Sequence, residues 1–168
     1  ARRYVGDFAA TVATLTVFLA SPLVFYTYIA MPWSHANGFF LFALFLTLWM
    51  RHWGRPGERG LGLWLLLGLV GGLMVMTREQ LGLLLIIPAL EALGQYAGLL
   101  RRGAWPAAAR QLGRHLAFLA ALALAVTPQL LAYQILNGRP APSSTVGDKF
   151  RFLELGPLPI LLSPNFLN

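Results

Sequence analysis

Thr77-Arg78-Glu79-Gln80 sets a hydroxyl, a guanidinium, a carboxylate and an amide in a row between two long apolar runs, residues 61–76 and 81–90. Four polar side chains beside hydrocarbon are costly unless each is satisfied, so they mark a functional site by default. Thr77 and Gln80 have the spacing of a capping box, with Thr77 as N-cap and Gln80 reaching back to it. Arg78 would then lie in the first turn of a helix, where the dipole disfavours a cation unless an anion joins it. A helix N-terminus with a guanidinium suits a phosphate. The plainer reading is that Arg78 snorkels to water or lipid headgroups while Glu79 improves the helix start. Glu79 cannot face Arg78 on an ideal helix and is placed to pair with another helix or to touch a substrate hydroxyl.

A second polar group, Trp33-Ser34-His35-Ala36-Asn37, opens another apolar run. Ser34 can cap that helix, His35 and Asn37 fall in its first turn, and Trp33 marks interfacial depth. His35 is the side chain most able to donate, accept or ligate near neutral pH, although a hydrogen-bonded interfacial histidine is the ordinary case. The candidate site is therefore Arg78, Thr77 and Gln80 for an anion, with Ser34, His35, Asn37 and Glu79 shaping the pocket. A divalent metal is conceivable as a cofactor, but no ligand set is visible: no histidine has a second ligand at suitable spacing. The chain has no cysteine, hence neither a thiolate nucleophile nor a disulfide framework. His52 and His115 read as structural.

The elements that position these residues belong to a membrane chain. At 57% hydrophobic and 11% charged, with a mean hydropathy of +0.63, the sequence is too apolar for a soluble domain. The net charge of +7 is not gathered into a basic stripe, which argues against nucleic acid as a partner. Five apolar segments can be drawn, residues 8–30, 39–50, 61–76, 81–100 and 116–136. The first, fourth and fifth reach the ~20 residues of a spanning helix. The second and third span only if residues 33–37, His52, Gly60 and Thr77 extend them. Nine of the thirteen cations fall on alternate connectors: Arg2 and Arg3; Arg51, Arg55 and Arg59; Arg101, Arg102, Arg110 and Arg114. Those connectors are cytoplasmic by the positive-inside rule.

The expected fold is thus all-α, a polytopic bundle of about five membrane helices with a cytoplasmic N-terminus and an extracytoplasmic C-terminus. Residues 1–168 form one transmembrane domain, and residues 137–168 an outer tail of solvated turns and amphipathic segments. Arg55-Pro56-Gly57-Glu58-Arg59-Gly60 reads as a solvated turn, and residues 101–115 as a short interfacial helix. Gly68 and Gly72, with Ala117, Ala121 and Ala125, make small-residue rows that let helices approach closely. Pro22, Pro88 and Pro128 bend their helices, and bent helices can enclose a cavity.

Several short words carry a resemblance: Ser21-Pro22-Leu23, Phe39-Phe40-Leu41, Gly71-Gly72-Leu73-Met74-Val75-Met76-Thr77-Arg78-Glu79-Gln80, Pro128-Gln129-Leu130-Leu131-Ala132-Tyr133 and Leu162-Ser163-Pro164. Together they resemble the middle of a bacterial polytopic GT-C class glycosyltransferase, of the branch related to protein O-mannosyltransferases and the lipid A aminoarabinose transferase. The resemblance implies an enzyme of the plasma (inner) membrane that moves a sugar from a polyprenyl-phosphate carrier to an acceptor on the extracytoplasmic face. It puts Arg78 where relatives often carry a lysine followed by Gly and Pro, matched here by Gly82 and Pro88. It puts Ser34-His35 near a helix start where relatives often carry an aspartate, which this chain lacks. The family's catalytic carboxylate lies in a first outer loop that is missing here, so the expectation is an internal piece of a larger protein with its catalytic residue upstream. The partners implied are the polyprenyl-phosphate sugar donor, membrane lipids and an acceptor of unknown identity. The alternative from another class is the transmembrane half of a transporter or lipid flippase.

Overall fold

The computed structural model describes residues 5–29, 34–52 and 58–142, and every regular element among them is helical. The chain divides into two compact units, Ala1–Val126 and Thr127–Asn168. In the first unit, α1 (Asp7–Leu19) starts with Asp7 in its first turn, where a carboxylate suits the dipole. The Thr11 and Thr14 hydroxyls donate back to the carbonyls of Asp7 and Ala10, each at 2.8 Å. The expected single helix over residues 8–30 is broken. Ala20, Ser21 and Pro22 form a turn, and α2 (Leu23–Tyr28) restarts beyond it, with the Ser21 Oγ accepting the Leu23 N–H at 3.3 Å. Pro22 lacks an N–H and stands immediately before the restarted helix, a place where proline costs nothing.

Next come α3 (Ser34–Met50) and α4 (Leu61–Thr77), each of 17 residues. Ser34 to Asn37 and Thr77 continue these helices, whereas His52 and Gly60 lie outside them; Trp33 lies outside the described residues. A 3₁₀ segment, Glu79–Leu85, leads into α5 (Ile86–Arg101). Pro88 lies in the first turn of α5 and need not bend it. The α5 terminus closes as a Schellman motif: Gly103, at φ +65, donates to the Leu100 carbonyl and Ala104 to that of Leu99. Then α6 runs from Trp105 to Asn137, 33 residues with Pro128 inside. The interfacial helix expected over residues 101–115 is therefore not a separate element. Residues 105–115 are the opening turns of α6, because nothing between Leu112 and Leu116 interrupts the backbone ladder.

The core of the first unit joins α3, α4 and α6 through Phe45, Trp49, Trp64, Leu67, Val70, Met74 and Phe118. Gly68 and Gly72 admit α6 to the surface of α4. A Cβ on Gly72 would stand 2.6 Å from the Ala125 Cβ and 2.7 Å from the Leu122 carbonyl oxygen, and one on Gly68 would meet the Phe118 carbonyl and Ala121. This is the close approach expected of the small-residue rows.

The described part of the second unit comprises the last turns of α6, from Thr127, and a turn through Pro142. There Gln129 Nε2 donates to the Tyr133 hydroxyl at 2.7 Å. The helix ends on Gly138, at φ +68. The outer tail expected from residue 137 lies outside the described residues from residue 143 onward.

Two helical stretches, Glu79–Arg101 and Trp105–Asn137, are long and apolar enough to cross a membrane. The apolar helices α1, α3 and α4 have 13, 17 and 17 residues and fall short of that length.

Candidate functional site

Along α3, residues 35, 38, 42, 45 and 49 follow helical spacing and lie on one face. Phe45 and Trp49, at the far end, enter the core. His35, Gly38 and Phe42, at the near end, line an open cavity of about 370 Å³ together with Val17 of α1, Ser21, Pro22 and Tyr26 around the helix break, and Arg78 and Leu81 beyond α4. The wall is mostly apolar, and its polar groups are Arg78, His35, Tyr26 and Ser21.

Arg78 is the extended residue between α4 and the 3₁₀ segment, at φ −154 and ψ 115. Its N–H donates to the Met74 carbonyl and its carbonyl accepts from Leu81, so both backbone ends are fixed. The side chain crosses α3 over Gly38, where a Cβ would stand 3.5 Å from the Arg78 Cδ and 3.1 Å from a Leu81 methyl. Arg78 Nη1 then donates to His35 Nδ1 at 2.6 Å. A guanidinium has no acceptor, so Nδ1 must present its lone pair and the imidazole proton sits on Nε2. The imidazole is itself stacked on the Tyr26 ring, with centroids 4.1 Å apart and planes 17° from parallel. Among the described residues no carboxylate lines the cavity or pairs with Arg78. No group of three potential metal ligands occurs among them either.

The other sequence-derived candidates lie apart from this centre. Thr77 is not an N-cap. It ends α4, and its hydroxyl donates to the Leu73 carbonyl at 2.8 Å. Without that hydroxyl there is no capping box, and Gln80 is exposed in a 3₁₀ segment that has no side-chain cap. Arg78 accordingly precedes the helical turn instead of lying in it. Glu79 and Asn37 are exposed, Ser34 is half-buried at the start of α3, and none of the three lines the cavity. Tyr26, Gly38 and Ser21 went unseen in the sequence. The available signal was the Ser21-Pro22 break, which sets Tyr26 one turn into a new helix.

A second polar cluster occupies the other end of α4, and it overturns the reading of Arg59 as a solvated loop charge. Arg59 is fully buried. Its Nη1 donates to Glu91 Oε2 at 2.9 Å, its Nη2 donates to the Trp49 carbonyl at 3.1 Å, and its guanidinium carbon lies 3.8 Å from the Trp49 ring centroid. Nearby, His115 meets the Tyr96 hydroxyl and Gln111 Nε2, each at 2.9 Å, and packs edge-on to Trp64. Among the described residues His52 lies 3.8 Å from Glu58.

No protein family, no curated protein and no solved structure matches this chain.

Proposed function

We propose that the cavity at Arg78 receives the phosphate of a membrane amphiphile, and that the chain belongs to an integral-membrane glycosyltransferase using a polyprenyl-phosphate sugar on the extracytoplasmic face of a bacterial inner membrane. The observation that carries this reading is Arg78 itself. A half-buried cation, pinned at both backbone ends, stands over an apolar cavity with the His35 ring as its neighbour and no carboxylate among the described residues to neutralise it. An anion supplies the missing charge, and a guanidinium can grip a phosphate with two parallel hydrogen bonds. The surrounding apolar wall suits a hydrocarbon chain attached to that phosphate.

The membrane setting draws support from the outward faces. Only 6% and 11% of the most apolar stretches of Glu79–Arg101 and Trp105–Asn137 are buried, whereas a core helix of a soluble protein is mostly covered. The five-span topology rests on the alternation of arginines, with the shorter α1, α3 and α4 completed by interfacial residues. In the transfer step the acceptor oxygen attacks the anomeric carbon while the polyprenyl phosphate departs. Arg78 stabilises the charge growing on that phosphate, and in this reading the base that takes the acceptor proton comes from outside the described residues.

One observation favours the alternative, a transporter or lipid-flippase half. The helix break at residues 20–22 lines the cavity, and discontinuous helices commonly build transport sites. Sugar transfer by the intact protein from a polyprenyl-phosphate donor separates the two. In the transferase Arg78→Ala costs roughly 2–4 kcal/mol of transition-state stabilisation, as for a lost oxyanion donor. Arg78→Lys, which keeps the charge and loses the fork, falls between. Full activity in Arg78→Ala removes the phosphate site.

A further inference from the structure

The Arg78–His35 contact can exist only while Nδ1 of His35 is unprotonated, because both nitrogens of an imidazolium are donors and the guanidinium offers no acceptor. An anion that takes the Nη1 edge of the fork competes with His35 for that nitrogen. If Arg78 turns its fork to the anion, the Nδ1 lone pair loses its donor and lies beside a new negative charge. From this geometry we infer that the site binds its anion together with one proton, taken from solvent onto His35 Nδ1, so that the imidazolium becomes a second cationic donor to the same anion. The inference rests on the anion-site reading above and adds its regulation: acidification tightens the site and alkalinisation loosens it.

The groups facing His35 agree with this. From α2 comes the Tyr26 ring, stacked on the imidazole and able to hold its plane fixed when the charge changes. From beyond α4 comes Arg78, whose Nη1 holds the Nδ1 lone pair. Gly38 and Phe42 share its face of α3, α1 contributes Val17 and the 3₁₀ segment Leu81, none of them titratable. Among the described residues no carboxylate lines the cavity.

The test uses decyl sulfate as probe, because a sulfate ester keeps one charge across the range where a phosphate ester, with its second pKa near ~6, titrates by itself. Binding to the intact protein in nanodiscs is measured by calorimetry from pH 5.5 to 8.5, in buffers of different ionisation enthalpy. Wild type is expected to take up a proton, to a maximum of one per bound sulfate, within this pH range. Its Kd should weaken as the pH rises, by at most about tenfold per pH unit, the limiting slope of a single linked proton. His35→Gln retains an acceptor for Arg78 and is expected to bind with a flat pH profile. Binding by wild type with no proton uptake overturns the inference while leaving the anion site standing. Failure of wild type to bind at any pH, or equal binding by Arg78→Ala, removes the anion site and the inference with it. The wild-type proton count decides the matter even if a variant does not fold.

Discussion

Arg59 and Glu91, thirty-two residues apart, meet at 2.9 Å with the arginine fully buried. The pair ties the start of α4 to α5, and the Trp49 carbonyl and ring add the end of α3 to the same point. Removing one member of a buried pair strands the other charge, at a cost of about 3–5 kcal/mol, whereas replacing both by apolar groups is often neutral. Arg59→Met should therefore lower the thermal unfolding midpoint of the purified protein sharply. Arg59→Met combined with Glu91→Leu should recover most of the loss. Wild-type stability in Arg59→Met alone would show that the charge is solvated.

The glycines of α4 and α5 should respond in opposite directions. At Gly72 a methyl group would collide with Ala125 and Leu122 of α6, so Gly72→Ala is expected to destabilise by ~1–3 kcal/mol, as overpacking does. At Gly94 and Gly98 of α5 nothing lies within 4 Å of a new Cβ. There alanine is the better helix former, and either substitution should be neutral or stabilising by up to ~1 kcal/mol. Unfolding midpoints of the three single variants in one detergent compare them directly.

The proposed topology puts Gln80 and Arg102 on opposite sides of the membrane. Because the chain has no cysteine, single cysteines at these positions are the only thiols in this stretch. Gln80→Cys should react with an impermeant thiol reagent added to intact cells. Arg102→Cys should react only after permeabilisation. Outside labelling at position 102 would end the five-span reading.

What the sequence made legible was contrast. Arg78 and His35 each interrupt apolar runs, and the structure brings the two side chains into contact. Arg59 could not be found this way. Set in Arg-Pro-Gly-Glu-Arg-Gly it looks like any solvated turn, and its burial depends on Glu91 and two tryptophans from distant segments. The capping box failed because a threonine hydroxyl has two options at a helix boundary: the N–H groups ahead or the carbonyl four residues behind. Thr77 takes the Leu73 carbonyl. The small-residue row on α4 was readable because steric need leaves a periodic mark, whereas the stack of Tyr26 on His35 leaves none.

Gly38 tests whether the position of the Arg78 side chain matters. The arginine stem lies across the bare backbone of α3 at this residue, and a Cβ there would stand 3.5 Å and 3.7 Å from its Cδ and Cγ and 3.1 Å from a Leu81 methyl. Alanine asks only that a flexible leucine end shift by a few tenths of an ångström, so Gly38→Ala should bind an alkyl phosphate nearly as wild type does. Valine adds two methyl groups in the path of the stem and must push the guanidinium away from His35 and the cavity mouth. Gly38→Val should weaken decyl phosphate binding by tenfold or more, a loss of at least ~1.4 kcal/mol. Its thermal midpoint should fall less than that of Arg59→Met, because the cavity is open space and the change severs no buried ion pair. Calorimetric titration and unfolding of the same preparations measure both quantities. Binding by Gly38→Val at wild-type strength would mean that the anion does not depend on Arg78 being held over α3.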